Sequence, residues 1–354
     1  MTAPWVDGDW RRAVLPLDST VEEAIRCLDE SHLQIVLVVD RGTHLIGTLT
    51  DGDIRRGLLK GIGLGDPIGV LVQREPVVVS VGVSRDEIRQ IMEQRRIHEI
   101  PIVDADNLIV GLAAWTAAGP RVDRINLMVV MAGGEGTRLR PLTEDCPKPL
   151  LPVGGRPMLE HILERAIAEG FKRFVFAIRY LGQMIEDHFG DGGDWGVEID
   201  YLREEEPLGT VGALSLLKPG PGEPFIVSNG DVLTAIRYGE MLDFHVSQDA
   251  TATMAVRLHE WQHPFGVVHT EGLDLVGFEE KPIGRSHVNA GVYVLDPSVL
   301  SALDPEKACD MPTLFNRLRQ LGRRTIVYPL YEPSLDVGRQ DDYMSAQQEV
   351  GHNG

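Results

Sequence analysis

The sequence of 354 residues has few of the features that mark membrane or secreted proteins. It contains no run of about 18 apolar residues, so we expect no membrane span. Its first residues, MTAPWVDGDWRRAV, lack the apolar segment of a secretory signal. Its three cysteines, Cys27, Cys146 and Cys309, are scattered and match no metal-ligand spacing. We therefore expect a protein of the reducing cytoplasm without a membrane partner.

Basic residues are also scarce. The chain has 34 Lys and Arg against 53 Asp and Glu, for a net charge of −19. A nucleic-acid-binding protein is expected to show a basic face, so this balance argues against nucleic acid as a partner. It does not exclude phosphate ligands, because a local cluster of Arg and Lys can act against the overall sign. The length indicates two or three domains.

The first third of the chain contains an internal repeat. Residues 20–47 align without gaps on residues 84–111, so that TVEEAIRCLDESHLQIVLVVD matches SRDEIRQIMEQRRIHEIPIVD. Each copy begins with Thr or Ser and has an acidic residue three positions later, which is typical of a helix N-cap. An amphipathic helix, an apolar strand, a turn and a second strand are predicted to follow. Two such copies are expected to bury their faces against each other.

This repeat resembles a tandem pair of cystathionine β-synthase-type (CBS) domains. In that family, the stretch after the second strand binds adenine nucleotides, and the resemblance assigns this role to Thr50 and Asp53 in GTLTDGDIRR. The second copy has Ala114 and Ala117 at these positions, so its site is expected to be lost. The alternatives are that Asp51 and Asp53 simply cap the following helix, and that the pair is structural or dimerising.

The rest of the chain predicts a second, larger domain. We assign residues 1–120 to the CBS pair, with copies at about 10–65 and 66–120, and place a boundary in the Gly-Pro-containing segment at about 117–126. Strands then alternate with helices, among them a helix predicted over TVGALSLLK and a strand predicted over FIVSNGDVL. This alternation predicts an α/β, Rossmann-like domain over 125–350 with a mixed, mostly parallel sheet. Ligands bind such sheets beyond the carboxyl ends of strands. The loop starting at Gly133 and the dipeptide Gly230-Asp231 both lie at such ends.

The loop after the strand LMVVMA reads GGEGTRLRPLTEDCPKP over residues 133–149. It is neither a Walker A loop nor a dinucleotide fingerprint, because no Lys follows Gly136 and Leu139 stands where a third glycine belongs. Glycine amides can approach phosphates because no Cβ blocks them. An Arg fork and a Lys held between two prolines can neutralise phosphate charge. The segment therefore predicts a phosphate-binding loop.

These residues match the signature of sugar-1-phosphate nucleotidyltransferases, GGxGTRLxPLT…PKPLLPVGGRP, and the resemblance covers roughly residues 125–350. The arrangement resembles mannose-1-phosphate guanylyltransferases and glucose-1-phosphate thymidylyltransferases. Together with the CBS pair it resembles a bacterial subgroup that includes a GTP:glucosamine-1-phosphate guanylyltransferase. The resemblance implies a reaction of nucleotide-sugar biosynthesis, in which a sugar phosphate oxygen attacks the α-phosphorus of an NTP and pyrophosphate leaves.

The resemblance also assigns roles to residues of the loop and of two later motifs. It implies catalytic roles for Arg138, Lys148 and Asp231, of which Arg138 braces the β- and γ-phosphates. Solvated surface charge is the alternative for Arg138 and Lys148. Asp231 in VSNGDVLT and Asp336 in SLDVGRQDDY match the family's carboxylates for Mg²⁺, while a simple turn role is the alternative for each. The implied NTP-binding residues of the loop are Gly133, Gly134, Gly136 and Thr137.

Two further motifs are assigned to the sugar and the base by the same resemblance. The sugar-phosphate residues are Glu280 and Lys281 of FEEKP and Asn289 and Gly291 of VNAGVYV, although Lys281 could be an ordinary surface lysine. The base and ribose are assigned to REEEPLGTVGAL. This form is associated with guanylyltransferases and favours GTP over CTP, UTP or dTTP, unless the glutamate is merely exposed in a charged turn. The residues assigned there are Glu206, Gly209 and Thr210.

We therefore predict a cytoplasmic, Mg²⁺-dependent enzyme that joins an NTP to a sugar-1-phosphate. An adenine nucleotide is a possible effector, and we expect a homo-oligomer. One competing interpretation is a non-catalytic nucleotidyltransferase-like scaffold or regulator, and another is a nucleotide sensor in which the CBS pair is the functional part. The presence of Arg138, Lys148, Asp231 and Asp336 favours the enzyme. The sequence does not determine the sugar.

Overall fold

The computed structural model describes residues 10–31, 33–40, 44–95, 97, 99–114, 123–305, 307–332, 334–338 and 340–351. The chain divides into two compact units, 1–122 and 123–354. Residues 117–122 of the predicted boundary segment lie outside the described residues. In the part of the chain that is described, no helix combines the length and the apolar character needed to cross a membrane.

The first unit contains two copies of one α/β motif, and its strands form two three-stranded sheets. Val38 pairs with Gly47 in the first copy and Ile102 with Gly111 in the second, and both ladders shift register at the next pair. The predicted repeat therefore holds at the level of individual strand pairs. The first copy comprises β1 (Val14–Pro16), α1 (Val21–Ser31), β2 (Ile35–Val39), β3 (Leu45–Thr50) and α2 (Asp51–Leu59). The second copy comprises β4 (Val79–Ser80), α3 (Arg85–Arg95), β5 (Glu99–Val103) and β6 (Ile109–Ala114).

The predicted N-cap signatures form capping boxes in both copies. The Glu23 carboxylate accepts hydrogen bonds from the Thr20 N–H at 2.7 Å and the Thr20 hydroxyl at 3.2 Å, while the Glu23 N–H donates to that hydroxyl. Ser84 and Glu87 repeat the arrangement at the start of α3. Each box satisfies backbone donors that the first helical turn leaves free.

The two copies share one hydrophobic core, as the repeat predicts. The Leu45 N–H donates to the Asn107 carbonyl at 3.0 Å, and the Asn107 amide donates to the Leu45 carbonyl at 2.8 Å. Buried residues of both copies belong to the same cluster, including Leu37, Val39 and Leu45 of the first and Val103, Ile109 and Leu112 of the second.

The second unit is built on a mixed, mostly parallel sheet of seven strands in the order β11-β10-β7-β12-β17-β14-β18. Strand β17 runs antiparallel to both of its neighbours, and the other neighbouring pairs are parallel. These strands are β7 (Arg124–Met131), β10 (Phe171–Ile178), β11 (Glu198–Arg203), β12 (Phe225–Asn229), β14 (Ala252–Gln262), β17 (Ile283–Leu295) and β18 (Thr325–Leu330).

Shorter elements surround this sheet and cover both of its faces. The helices are α4 (Met158–Ala168), α5 (Gly182–Phe189), α6 (Gly209–Gly212), α7 (Tyr238–Ser247), α8 (Met311–Gln320) and α9 (Gln340–Gly351). Three strand pairs lie outside it, formed by β8 (Pro152–Val153) with β9 (Arg156–Pro157), β13 (Val232–Thr234) with β19 (Ser334–Asp336), and β15 (Val267–Glu271) with β16 (Asp274–Glu279).

Alternate residues of β7 enter two separate cores, because successive side chains of a strand point to opposite faces. Met128 and Val130 belong to the cluster that contains Leu159 and Ile162 of α4. Leu127 and Val129 belong to the cluster that contains Met311 and Leu314 of α8. The predicted α/β class, with a mostly parallel sheet covered on both faces, is confirmed.

Two predicted elements differ from the structure. The helix expected over TVGALSLLK is one α-helical turn, Gly209–Gly212, which continues as a 3-10 helix over Ala213–Leu216. The Val211 and Gly212 N–H groups, which the first turn leaves without a partner inside the helix, donate to the Cys309 carbonyl. The single strand expected over FIVSNGDVL is interrupted at Gly230, whose N–H donates to the Met131 carbonyl at 2.9 Å. This interruption separates β12 from β13 and places Asp231 between them.

A buried histidine on α7 makes stability depend on pH. His245 is 2% exposed, and its Nδ1 lies 2.8 Å from the Thr253 hydroxyl. Burial lowers its pKa to about 4, although the Asp296 charge acts in the opposite direction. An unfolded histidine has a pKa of about 6.5. The unfolded chain therefore takes up this proton first, and the free energy of unfolding should fall as pH drops from about 6.5 to about 4.

We expect His245→Gln to remove this component, which amounts to at most about 3 kcal/mol between pH 7 and pH 4. Urea unfolding at pH 7 and pH 5 tests this expectation. The free energy of unfolding should differ less between the two pH values in the variant than in the wild type. His287→Gln, at an exposed position, serves as the control. Equal pH dependence in wild type and His245→Gln would refute this explanation.

Candidate active site

The candidate active site lies at the carboxyl ends of four neighbouring parallel strands, β11, β10, β7 and β12. Strand β7 leads into the loop that begins at Gly133, and β12 leads into Gly230-Asp231. Strands β10 and β11 lead into Arg179 and Glu204. Because these strands are adjacent and parallel, the four segments meet at one edge of the sheet, where α/β proteins bind ligands.

The glycine-rich loop packs directly against Lys148. Gly136 has φ +60°, and a Cβ at this position would lie 2.9 Å from Thr143 Cγ2 and 3.1 Å from Lys148 Cβ. Both the backbone conformation and the space therefore require glycine. Gly134, Thr137 and Arg138 are exposed, and nothing lies within 4 Å of a Cβ built on Gly134. The outer side of the loop is thus open to a ligand.

Lys148 is buried and forms an ion pair with Asp231. Only 8% of Lys148 is exposed, and its Nζ contacts Asp231 Oδ2. Pro147 and Pro149 flank it in a 3-10 turn. A buried ammonium group is costly unless it has a charged partner, so each of the two side chains stabilises the other. Lys148 is therefore not a solvated surface charge, which was the alternative for this residue. Arg138 is exposed, so the same alternative stays open for it.

The backbone brings Asp231 and Asp336 to neighbouring positions, although they are far apart in sequence. Asp336 in β19 is opposite Val232 in β13, and the Val337 N–H donates to the Asp231 carbonyl at 3.1 Å. No group of three His, Cys, Asp or Glu side chains suited to a metal occurs among the residues that the structure describes. Mg²⁺ is commonly bound by one or two carboxylates together with substrate phosphates, and the two adjacent backbone positions carry residues of that chemistry.

Two of the predicted sugar-side residues, Asn289 and Gly291, lie on β17, where a Cβ built on Gly291 would meet Asn229 and Val232. The Asn289 amide donates to the Tyr293 hydroxyl at 2.6 Å and accepts from the Gly291 N–H at 3.0 Å. Burial raises the pKa of Tyr293, and the charge of Asp231 acts in the same direction. The Oδ1 of Asn229, two residues before Asp231, is buried and has no hydrogen-bond partner among the residues that the structure describes.

The other two predicted sugar-side residues stand apart from this cluster. Glu280 and Lys281 are both exposed and directly follow β16, and Lys281 has φ +46°. Glu280 Oε2 lies 3.1 Å from a Cβ built on Gly266. The contacts of the described residues join neither side chain to Lys148 or Asp231. The described contacts thus place Gly291 close to Asn229 and Val232 and place Glu280 close to Gly266, while the sugar-side roles of Asn289, Gly291, Glu280 and Lys281 stay predictions.

The predicted base-binding segment is held in place by the start of α8. The Thr210 hydroxyl accepts from the Met311 N–H at 2.8 Å, and the Cys309 N–H donates to the Leu208 carbonyl. Gly209 and Thr210 are exposed on this segment, as is Glu206. The exposure of Glu206 agrees with the alternative of a residue in a charged turn.

Sequence reasoning missed Glu204 and Arg179. Glu204 Oε2 accepts from the Leu208 N–H at 2.9 Å, and its Oε1 lies 2.9 Å from a Cβ built on Gly133. Burial raises the pKa of Glu204, while the Leu208 N–H and Arg179 oppose this. Arg179 donates to Glu135 at 3.1 Å. Glu204 and Arg179 link the glycine loop to the base segment. They directly follow β11 and β10, and a position after the carboxyl end of a strand is where such sheets bind ligands.

In the first unit, the predicted nucleotide residues form a capping box. Asp53 Oδ2 accepts from the Thr50 N–H at 2.9 Å and from its hydroxyl at 2.6 Å, and Asp53 also pairs with Arg56. Asp51 pairs with the fully buried Arg55. The capping alternative is therefore observed, and nucleotide binding by Thr50 and Asp53 stays a prediction.

The corresponding position in the second copy is apolar. Ala114 ends β6 opposite Glu99, whose pKa burial raises to about 7 despite a hydrogen bond from the Gln34 N–H. Ala117 lies outside the described residues. Ala114 has no hydroxyl group that could take the place of the Thr50 hydroxyl. Within the described residues, the expected loss of the second nucleotide site therefore depends on Ala114 alone.

Comparison with known protein families identifies both parts of the chain. The model of the nucleotidyl transferase family matches residues 127–353. The model of the CBS domain matches residues 10–60 and 68–113.

Curated relatives resemble the second part. A mannose-1-phosphate guanyltransferase from Yarrowia lipolytica is 36% identical over 229 residues, covering 61% of this chain and 62% of the relative. A mannose-1-phosphate guanylyltransferase from Mycobacterium tuberculosis is 38% identical over 179 residues, covering 49% of this chain and 50% of the relative. The chain thus spans less than two thirds of the length of these relatives.

Solved structures show the same fold. A candidate glucose-1-phosphate thymidylyltransferase from Bacillus anthracis has a TM-score of 0.53 and 21% identity, covering 64% of this chain and 95% of that one. HddC from Yersinia pseudotuberculosis has a TM-score of 0.50 and 24% identity, covering 64% of this chain and 99% of that one.

Proposed function

Since the chain belongs to the nucleotidyl transferase family, we propose that its second unit transfers a nucleotidyl group from an NTP to a sugar-1-phosphate in the cytoplasm and releases pyrophosphate. The observation that carries this proposal is the meeting of the open glycine loop, the buried Lys148 and Asp231 at one edge of the sheet. The names of the curated relatives support the same reaction class.

The reaction needs positioning and charge neutralisation rather than a covalent nucleophile. An oxygen of the sugar phosphate forms a new bond to the α-phosphorus, the bond from that phosphorus to the bridging oxygen breaks, and pyrophosphate leaves with the electron pair. The amides of Gly133, Gly134 and Gly136, with Thr137, would hold the triphosphate, and Arg138 would brace its outer phosphates. Gly136 brings Lys148 to the loop, where its ammonium group would stabilise charge at the α-phosphate.

Asp231 and Asp336 would hold Mg²⁺, since their backbones are adjacent and Mg²⁺ prefers carboxylate oxygens. When bound, such an ion supplies Lewis-acid stabilisation of the phosphoryl oxygens. In the free protein Lys148 balances the charge of Asp231. Lys148 is therefore placed to contact phosphate oxygens once Asp231 has another cationic partner. Asn289 and Gly291 line the same region and would face the sugar, and Glu280 and Lys281 would reach it from the base of the β15–β16 hairpin.

We propose GTP as the preferred nucleotide, with Glu204 rather than Glu206 as the acceptor for the guanine N1–H and N2–H groups. Glu204 is partly buried at the end of β11, and the Leu208 N–H orients it. A carboxylate can accept both guanine donors, which adenine does not present in this arrangement. Glu206 is exposed, and Gly209 and Thr210 would contact the ribose from the same segment.

We expect Glu204→Gln to lower kcat/KM for GTP about 10- to 100-fold, the effect of one charge-assisted hydrogen bond. The kcat/KM for UTP should change by less than about threefold, because uracil lacks the paired donors. Steady-state kinetics with both nucleotides measures the ratio of kcat/KM for GTP to kcat/KM for UTP in the wild type and the variant. Glu206→Gln is the matched control and should leave both values unchanged. Equal losses for GTP and UTP would remove Glu204 from base recognition.

The proposed reaction is tested by pyrophosphate release from each of GTP, ATP, CTP, UTP and dTTP with mannose-, glucose- or glucosamine-1-phosphate and Mg²⁺. We expect turnover with GTP and one of these sugars, and mass spectrometry of the product identifies the NDP-sugar. Silence across the whole panel would overturn the proposal and favour a non-catalytic nucleotidyltransferase-like subunit.

We further propose that the CBS pair binds an adenine nucleotide at Thr50 and Asp53 and thereby regulates the second unit. Both residues lie at the N-terminus of α2, where a helix favours anions. Calorimetry with AMP, ADP and ATP tests the idea on the full chain. Asp53→Asn should abolish binding, whereas Glu87→Gln, which weakens the equivalent capping box of α3, should not. No heat with the wild type, or unchanged binding in Asp53→Asn, would reject this site.

A further inference from the structure

The glycine loop contains as much negative as positive charge. Residues 133–149 have equal numbers of acidic and basic side chains, which are Glu135, Glu144, Asp145, Arg138, Arg140 and Lys148. The charge of Lys148 is already compensated by Asp231. An NTP brings several more negative charges to this loop, and the net charge of −19 on the chain opposes its approach. The loop therefore needs positive charge from another segment.

Glu135 is the acidic residue that lies within the run of glycines. It stands between Gly134 and Gly136, whose amides are proposed to bind the triphosphate. Its side chain is 42% exposed, so water screens its charge only in part. A carboxylate at this position repels bound phosphates unless a cation neutralises it.

Arg179 supplies that cation from the neighbouring strand. Its guanidinium group donates a hydrogen bond to Glu135 Oε1 at 3.1 Å, and its side chain is only 22% exposed. Arg140 approaches the other carboxylate oxygen of Glu135, but the distance is 3.9 Å and its side chain is 50% exposed. Arg179 thus makes the shorter and less exposed of these two contacts, and we expect it to neutralise Glu135 more effectively.

The backbone of Arg179 is fastened to the glycine loop independently of this ion pair. A Cβ built on Gly133 would lie 3.3 Å from Arg179 Cβ and 3.4 Å from its backbone nitrogen. The Tyr180 hydroxyl donates to the Glu144 carbonyl at 2.9 Å, further along the loop. Leu181 has φ +49°, a backbone conformation that a residue with a Cβ adopts only at a cost. The turn after β10 therefore places the guanidinium group beside Glu135.

We propose that Arg179 is a positioning residue that neutralises Glu135 and thereby allows the glycine loop to receive an NTP, a role that rests on the proposed function. Arg179 acts through Glu135 and does not touch the reacting atoms. Its removal should therefore weaken NTP binding. Binding of the sugar-1-phosphate should be unaffected, because the residues proposed for it lie on β17 and directly after β16.

A direct contact between Arg179 and the guanine base is the competing interpretation. The charge of Arg179 acts to lower the pKa of Glu204, the residue proposed for guanine, so the two side chains are near each other. However, the described hydrogen bond of the Arg179 side chain goes to Glu135. The observed partner thus favours neutralisation of the loop over contact with the base.

A double-mutant cycle on the full chain tests the proposal. Arg179→Gln should raise KM for GTP, and the Kd of GTP with Mg²⁺ measured by calorimetry, about 10- to 100-fold, because Glu135 is left uncompensated. Glu135→Gln should raise neither constant. The double variant Arg179→Gln/Glu135→Gln should return both to within about threefold of the wild type, since the two residues act as one unit. Arg179→Lys keeps the charge and should keep most of the affinity.

The effect of Arg179→Gln should be confined to the nucleotide. Values of kcat and of KM for the sugar-1-phosphate should change less than about threefold, and the loss of GTP affinity should shrink as NaCl is added, because salt screens an uncompensated charge. Arg173→Gln is the matched control, since it removes an exposed arginine from the same strand and should leave every constant unchanged. Circular dichroism checks that each variant is folded.

Unchanged GTP affinity in Arg179→Gln would overturn the proposal, and so would an equal rise in KM for the sugar-1-phosphate. A loss that persists in the double variant and is larger for GTP than for UTP would instead assign Arg179 to the base. Because calorimetry needs no turnover, an inactive protein that shows the rescue would uphold this inference while the proposed reaction fails. Normal turnover without the rescue would do the reverse, and a wild type that binds no NTP would overturn both.

Discussion

Replacement of Asp231 by asparagine is expected to lower kcat by about 10³-fold or more, the typical loss when a charge that stabilises the transition state is removed. The change keeps the shape of the side chain but removes its negative charge. The metal site that we propose would then lose one of its two carboxylates, and the buried Lys148 loses its ion-pair partner. Pyrophosphate release at saturating GTP and sugar-1-phosphate measures the effect.

The control for this prediction is Asp200→Asn, since Asp200 is exposed on β11 and should tolerate the change with full activity. Asp336→Asn should resemble Asp231→Asn, because the backbone places the two residues side by side. Both variants should also need more Mg²⁺ for half-maximal activity. A variant of Asp231 that kept more than a tenth of the wild-type kcat would be incompatible with the proposed mechanism.

The second large effect is expected from Lys148→Met, which keeps the length and apolar stem of the side chain and removes its charge. We expect kcat/KM to fall about 10²- to 10³-fold, because the buried positive charge that we propose for stabilising the α-phosphate would be lost. Lys148→Arg should not restore activity. The planar guanidinium is wider than the compact ammonium group and does not reproduce its position as a point charge beside Asp231.

The matched control for the lysine is Lys218→Met, because Lys218 is exposed and far from the glycine loop in sequence. It should leave kcat/KM unchanged. Equal activity losses in Lys148→Met and Lys218→Met would show that the effect is general and not local. Removing Lys148 also leaves the Asp231 carboxylate without its partner, so unfolding by urea should be measured alongside activity for each variant.

The ion pair between Lys148 and Asp231 has a consequence for the order of events. Both side chains are assigned to bound phosphate or metal, yet in the free protein they bind each other. Such a pair keeps a buried cation and a nearby carboxylate compensated until ligands arrive. Activity should therefore depend on metal and NTP binding together, since each would take over one partner of the pair.

Much of the fold could be predicted from the sequence because the relevant interactions are local. The capping boxes of Thr20 with Glu23 and Ser84 with Glu87 span three residues each, and the structure contains both. The repeat predicts equivalent strand registers in both copies, which Gly47 and Gly111 display. The alternation of strands and helices after residue 125 likewise predicts the α/β class.

Which residues form the candidate active site was harder to predict from the sequence. The motif directed attention to Glu206, but Glu204 is the partly buried carboxylate, because it directly follows β11 and accepts the Leu208 N–H. The resemblance also grouped Glu280 with Asn289, whereas the described contacts put Asn289 on β17 with Tyr293 and Glu280 close to Gly266 at the β15–β16 hairpin. Burial and orientation depend on neighbours that are distant in sequence, so a motif does not reveal them.

The sequence by itself determined the repeat, the helix caps, the alternation of elements and the residue types of the phosphate loop, because each depends on residues a few positions apart. Only the tertiary structure decided that Lys148 is buried against Asp231, that Asp336 is opposite Val232, and that Arg179 pairs with Glu135. These features depend on which strands become neighbours, and strand order is set by packing of the whole sheet rather than by any single segment.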